Sequence, residues 1–234
     1  MSEGKRLKLK KAGWCILWLI LYGILFGMNV NKVVKAINLT TYTFILLIYL
    51  YKRRKLKHYR VAIPQIHKIP RGSVVSLVFL GSAILMNLLF SRENGSEFFS
   101  LGVYVEMLYT VFMEELFFRG YLLTTFFEDY KNQMKSILDS SALFGLLHIV
   151  NLLEGGDIAY TVFQILCAVA VGVLLGILAI TFDSILPGVA LHWLINVSAM
   201  WVKALNVKEY SIYLVILGIG VVLCLKKYNG GDSR

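Results

Sequence analysis

The chain has 234 residues, of which 58% are hydrophobic and only 16% are charged, and its mean hydropathy is +0.69. A soluble domain usually carries about 25% charged residues, and a chain of this length has no aqueous core that could bury so many apolar side chains. The net charge of +10 would favour nucleic-acid binding in a soluble protein. Here it is better explained by retention of Lys and Arg on the cytoplasmic side of a bilayer. The composition therefore predicts an integral membrane protein and argues against nucleic acid as a partner.

Eight apolar stretches are candidates for membrane spans, because a spanning helix needs about 20 mostly apolar residues and shorter stretches are tolerated where the bilayer thins. In chain order they cover residues 14–30, 37–51, 73–90, 98–127, 136–153, 158–181, 184–202 and 210–225. The pattern predicts an all-α, polytopic membrane protein with about eight transmembrane helices. Residues 1–234 are predicted to form a single integral membrane domain.

The distribution of basic residues predicts that both termini are cytoplasmic. In that arrangement eighteen of the 24 Lys and Arg residues lie in cytoplasmic segments, five lie outside, and Arg119 lies within a span. This asymmetry is the one that the positive-inside rule requires.

Two polar features lie at the cytoplasmic edge of the predicted spans. The basic connector, residues 52–72, is expected to anchor the topology or to contact anionic lipids rather than nucleic acid, since it directly follows a span. Asp183 precedes a predicted helix start and is expected to cap the helix N-terminus.

Three charged residues lie close together in the fourth predicted span: Glu114, Glu115 and Arg119. Each charge at the centre of a bilayer costs at least about 2.5–3.5 kcal/mol, so each needs a partner or a function. Glu115 and Arg119 are four residues apart with the acid first, which is the favourable order for a helical ion pair. Glu114 is rotated by about 100° from Glu115, so it faces another direction and is the candidate for a functional role.

Two further pairs of residues lie one helical turn apart in later spans. The fifth span carries Phe144 and His148, and the seventh carries His192 and Asn196. Residues four apart share one face of a helix. At about 1.5 Å rise per residue, the depths of Glu114 and the two histidines are compatible with one layer, which predicts a common cavity.

The residues of this cavity support two kinds of water activation. A desolvated carboxylate can act as a general base with a neighbouring imidazole, while a second imidazole and an amide stabilise an oxyanion. Alternatively, Glu114, His148 and His192 could ligate a catalytic divalent metal such as zinc and leave one position for water. The sequence leaves both alternatives open.

The three motifs resemble those of the CAAX protease and bacteriocin-processing family of intramembrane endopeptidases, also called the Abi family. The family pattern is EExxxR, FxxxH and HxxxN on successive core helices, and this chain carries it at 114–119, 144–148 and 192–196. The resemblance covers about residues 100–200, and residues 100–202 are predicted to form the catalytic core.

The resemblance also implies a role for each residue. Glu114 would activate water with the help of His148, while His192 and Asn196 would form the oxyanion site. Structural support of the site is expected from Glu115, Arg119 and Phe144. Members of the family have been described both as metal-dependent and as metal-free glutamate-type peptidases. Implied substrates are prenylated CAAX proteins or membrane-associated leader and signalling peptides, and the expected location is the plasma membrane of a bacterium.

Two other functions compete with peptide hydrolysis. A non-catalytic protein of the same fold could provide bacteriocin immunity or bind a partner. A transporter or proton relay also uses intramembrane Glu and His, but the sequence shows no inverted repeat. The expected partners are membrane lipids and a membrane-associated peptide or protein substrate, and the sequence does not predict an oligomeric state.

Overall fold

The computed structural model describes residues 41, 44–52, 54, 56–65, 71–90, 101–153, 155–200, 202 and 207–229. Within this part of the chain the protein is all-helical, as predicted. The first predicted span, 14–30, lies outside the described residues, and the second, 37–51, lies partly outside them.

Residues 44–52 are helical, and eight α-helices follow them among the described residues. They are α1 (Arg71–Phe90), α2 (Leu101–Glu115), α3 (Leu123–Tyr130), α4 (Gln133–Leu146), α5 (Val150–Leu153), α6 (Ile158–Thr181), α7 (Leu186–Ala199) and α8 (Val207–Asn229). A π-helical segment, Leu116–Leu122, joins α2 to α3. Two short 3₁₀ helices cover Leu56–Tyr59 and Leu147–Ile149.

Three helices of the described chain are long and apolar enough to cross a membrane: Ser73–Phe90, Ile158–Thr181 and Lys208–Lys226. Candidate spans thus lie at the predicted bounds 73–90 and 158–181, and a third candidate lies within two residues of the predicted span 210–225. Helix α7 is apolar but has only 14 residues, so it is shorter than the predicted span 184–202. The total of about eight spans stays a prediction.

The fourth and fifth predicted spans are not uniform α-helices. The fourth changes from α2 into the π-helical segment immediately after Glu115, and the fifth changes from α4 into a 3₁₀ turn at Leu147. Such changes of helix type inside a span are frequent at functional sites. Both occur next to candidate site residues, Glu115 and His148.

Small residues allow α4 and α6 to pack closely. A Cβ atom on Gly145 would lie 2.8 Å from the backbone oxygen of Ile165, and one on Gly172 would lie 3.0 Å from Cβ of Ser141. Close approach at Gly and Ser is a usual way to hold helices together in a membrane, where the hydrophobic effect gives no driving force between helices. The interface fixes α4, which carries Phe144, against α6, the longest helix in the part of the chain that the structure describes.

Buried apolar side chains form two clusters. One contains Leu80 of α1, Leu174 of α6 and Leu217 of α8. The other surrounds the π-helical segment and contains Phe118 and Phe144. The candidate site residues lie beside the second cluster, so packing of aromatic rings controls their positions.

The prediction that Asp183 caps α7 is wrong. The residue that precedes α7 is Ile185, which makes no side-chain cap, and the hydroxyl of Ser184 accepts a hydrogen bond from the backbone N–H of Leu186 at 3.2 Å. Asp183 has a left-handed backbone with φ 45°, and its Oδ1 lies 3.7 Å from Nε of Arg60. The chain turns at Asp183, which directs the carboxylate away from the helix end.

Substitution of Gly145 by alanine tests the α4–α6 interface. The new Cβ would collide with Val169 and with the backbone oxygen of Ile165, so we expect the free energy of unfolding to fall by about 1–3 kcal/mol. Gly81→Ala in α1 is the matched control, because no described atom lies within 4 Å of that Cβ position. Thermal unfolding in detergent should show a lower Tm for Gly145→Ala alone. Equal Tm values for the two variants would contradict the close packing.

Candidate active site

The π-helical segment directly follows Glu114 and Glu115. All seven of its residues are buried, including Arg119. A π-helical turn holds more residues than an α-helical turn, so the side chains after Glu115 are rotated relative to those of a continuous α-helix. The segment therefore sets the direction of Arg119 relative to the two glutamates.

Glu115 and Arg119 form the predicted ion pair. Nη1 of Arg119 donates a hydrogen bond to Oε1 of Glu115 at 2.8 Å, and both side chains are fully buried. The guanidinium carbon of Arg119 also lies 4.3 Å from the ring centroid of Phe144. A cation over an aromatic ring is stabilised by the ring quadrupole. The ion pair is thus confirmed, and it packs directly on a residue of the FxxxH motif.

Two carboxylates lie on either side of the His192 ring. Nδ1 of His192 lies 3.0 Å from Oε1 of Glu115, and Nε2 lies 3.7 Å from Oε2 of Glu114. A carboxylate paired with Arg119 accepts hydrogen bonds, so Nδ1 of His192 is the donor in this contact. The bond fixes the ring orientation and leaves Nε2 as the nitrogen that faces Glu114.

The sequence missed this contact between Glu115 and His192. Helical spacing relates residues of one helix only, whereas these two residues are separated by 77 positions. Glu115 was expected only to support the architecture through Arg119. It also holds the imidazole that lies next to Glu114.

Phe144 lies between the two imidazoles. Its ring is nearly perpendicular to that of His148, with centroids 5.8 Å apart, and to that of His192, with centroids 5.5 Å apart. Edge-to-face contacts of this kind are favourable and depend on angle, so they orient the rings. The ring contact of Phe144 with His148 agrees with the shared helix face predicted for them, and the contact with His192 is an addition from the tertiary structure.

His148 lies in the 3₁₀ turn after α4 and is half-buried. Its Nδ1 atom is buried, and the ring interacts with the backbone of Gly145 and Phe144 in the preceding turn. Glu114 and His192 both interact electrostatically with this ring. His148 therefore lies within electrostatic range of both Glu114 and His192.

Asn196 lies on α7 one helical turn after His192 and is half-buried. The helix places both residues on one face. In the described part of the chain its side chain makes no hydrogen bond. Its amide could therefore donate to a bound molecule beside His192.

Polar contacts from two helices hold α7 in place. Nε1 of Trp193 donates to the backbone oxygen of Tyr104 in α2 at 3.1 Å. Nδ2 of Asn87 in α1 lies 3.2 Å from the backbone oxygen of Ile195 and 2.9 Å from Oγ of Ser198. These bonds are buried or half-buried, so they restrict sliding of α7 along its neighbours.

The metal alternative for Glu114, His148 and His192 stays a prediction. Among the described residues, no group of three or more His, Cys, Asp or Glu side chains could hold a metal. The two nitrogens of His192 face the carboxylates of Glu115 and Glu114. The site therefore offers carboxylate and imidazole chemistry of its own.

Residues 96–198 match the family model described as type II CAAX prenyl endopeptidase Rce1-like. The matched segment contains all three motifs at 114–119, 144–148 and 192–196. A search of curated proteins finds no match to the chain, and a search of solved structures finds none. The resemblance predicted from the three motifs is thus confirmed, since residues 96–198 of this integral membrane protein match the Rce1-like type II CAAX prenyl endopeptidase family.

Proposed function

We propose that the protein is an intramembrane endopeptidase that hydrolyses a peptide bond in a membrane-associated peptide or protein. The observation that carries the proposal is the contact of the Glu114 carboxylate with a His192 ring whose other nitrogen is held by a buried ion pair. The family match supports CAAX-type processing as the class of reaction.

In the proposed reaction Glu114 is the general base. Its Oε2 takes a proton from a water molecule, and the oxygen of that water attacks the carbonyl carbon of the scissile bond. His148 assists by holding the water, a role supported by its electrostatic interaction with Glu114. Glu114 then returns the proton to the leaving amine.

His192 and Asn196 are proposed to stabilise the oxyanion of the tetrahedral intermediate. Fixed hydrogen-bond donors in a site that excludes water are effective because they need no reorganisation during the reaction. Nε2 of His192 must carry a proton to donate, and the carboxylates on either side of the ring compensate the resulting charge. The amide of Asn196 supplies the second donor from the same helix face.

We further propose residues 100–202 as the catalytic core, since the family match covers nearly the same segment. The proposed setting is the plasma membrane of a bacterium, with both termini on the cytoplasmic side. The basic residues support this orientation through the positive-inside rule.

Reconstitution in lipid vesicles tests the proposed function. The substrates are a prenylated CAAX peptide, the same peptide without the prenyl group, and an unprenylated leader peptide. We expect the wild type to cleave at least one of them, also in the presence of a chelator, and the double variant Glu114→Gln/His192→Gln to cleave none. Cleavage that persists in the double variant would refute the assignment, and loss of wild-type cleavage with the chelator would refute the metal-free chemistry.

A further inference from the structure

Part of the basic connector is packed against the helices that carry the site. Residues 56–65, called the strap below, begin with the 3₁₀ helix Leu56–Tyr59. The Tyr59 side chain is buried, and its ring centroid lies 6.3 Å from that of Tyr121 in the π-helical segment. The backbone oxygen of Tyr59 lies 3.0 Å from the position that a Cβ atom on Gly120 would occupy. The strap thus lies directly on the backbone of the π-helical segment.

Arg60 connects this segment to the turn before α7. Its Nη1 donates to Oγ1 of Thr124 in α3 at 2.5 Å, and its Nε lies 3.7 Å from Oδ1 of Asp183. Its backbone oxygen accepts a hydrogen bond from N–H of Ile185 at 3.0 Å. One residue of the strap therefore contacts both α3 and the turn that leads into the helix of His192.

Further bonds hold the strap on both sides. Oγ of Ser184 donates to the backbone oxygen of Ala62 at 2.6 Å, and the backbone N–H of Gln65 donates to the oxygen of Phe182 at 3.0 Å. On the side of α3, Nε2 of His58 lies 3.0 Å from Oε1 of Glu128. The strap therefore contacts both α3 and the turn before α7, which are distant in sequence.

Arg60 and Asp183 both have left-handed backbones, with φ of 59° and 45°. This conformation is unfavourable by about 1–2 kcal/mol for a residue other than glycine. It persists where surrounding contacts define it, as the bonds of Arg60 do here. The backbone conformation of Arg60 is therefore defined by its contacts with the protein. A basic segment that only contacts lipid headgroups would have no such contacts.

We propose that Arg60 is a positioning residue of the peptidase site. Through Thr124 and the turn at 183–185 it holds α3 against the start of the helix of His192. Since α3 continues from the helix of Glu114 through the π-helical segment, this maintains the distance between the carboxylate and the imidazole. The inference rests on the proposed function, and it gives the basic connector a role beyond anchoring the topology.

Substitutions of Thr124 test the proposal without changing any residue of the site. Thr124→Val keeps the shape of the side chain but removes the hydroxyl that accepts from Arg60. Because small displacements of reacting groups are costly, we expect kcat to fall about tenfold while KM changes less than about twofold. Thr124→Ser keeps the hydroxyl and should retain kcat within about twofold of the wild type. Thr125→Val is the matched control, since Thr125 is also buried and makes no side-chain hydrogen bond among the described residues.

Trypsin supplies a measurement that is independent of peptidase activity. Cleavage after Arg60 requires release of the strap, so we expect it to be faster in Thr124→Val than in Thr124→Ser or Thr125→Val. Asp183→Asn, which removes the charge but tolerates a left-handed backbone, should also accelerate cleavage.

The outcomes separate the inference from the proposed function. Unchanged kcat and unchanged tryptic cleavage in Thr124→Val, with an active wild type, would overturn the role of Arg60 and leave the peptidase assignment intact. Equal loss of kcat in Thr124→Val and Thr125→Val would also overturn it. A wild type that cleaves no peptide would refute the peptidase function, and the positioning role with it.

Discussion

Glu114→Gln is expected to lower kcat for peptide cleavage by about 10²–10⁴-fold, because general acid–base catalysis contributes that much and an amide cannot take a proton from water. The side chain of Glu114 is only 15% exposed and faces Nε2 of His192, so no other described carboxylate is placed to replace it except Glu115, which is bound to Arg119. The amide has nearly the same size, so the variant should insert and accumulate normally. The measurement is kcat on the peptide that the wild type cleaves best.

Glu106→Gln is the matched control for this prediction. Glu106 lies on the same helix, α2, and is half-buried, but it precedes the site by more than two helical turns. We expect its kcat to equal that of the wild type within about twofold. Wild-type activity in Glu114→Gln would end the role of Glu114 as general base, and equal losses in both variants would indicate damage to α2 rather than to catalysis.

The second large effect concerns the buried ion pair. Arg119→Met is expected to lower the free energy of unfolding by about 3–5 kcal/mol, because it leaves the fully buried Glu115 carboxylate without its cation. The double variant Glu115→Gln/Arg119→Met removes both charges, and replacement of a whole buried pair is often neutral. It should therefore be more stable than Arg119→Met. Denaturant unfolding in detergent measures the difference.

Activity should not follow stability in this series. The double variant lacks the carboxylate that accepts from Nδ1 of His192, so we expect its kcat to remain low even where its stability is restored. A double variant that is stable and fully active would show that Glu115 only supports the fold. A single variant as stable as the double variant would show that the charges do not compensate each other.

The sequence by itself determined the features that depend on local geometry or on apolar length. The spans 73–90 and 158–181 followed from the number of apolar residues that a bilayer requires, and the structure has helices at these bounds. The ion pair of Glu115 with Arg119 and the contact of Phe144 with His148 followed from the four-residue spacing of a helix. The order of the three motifs was sufficient to predict the family.

Only the tertiary structure decided the contacts between segments distant in sequence. The bond of His192 to Glu115, the position of Phe144 between two imidazoles and the docking of Arg60 join residues that no periodicity relates. The π-helical segment after Glu115 was also not predictable, since it differs from an α-helix in its backbone hydrogen bonds rather than in side-chain pattern. Side-chain spacing encodes one helix at a time, whereas the relative placement of helices depends on the packing of all of them together.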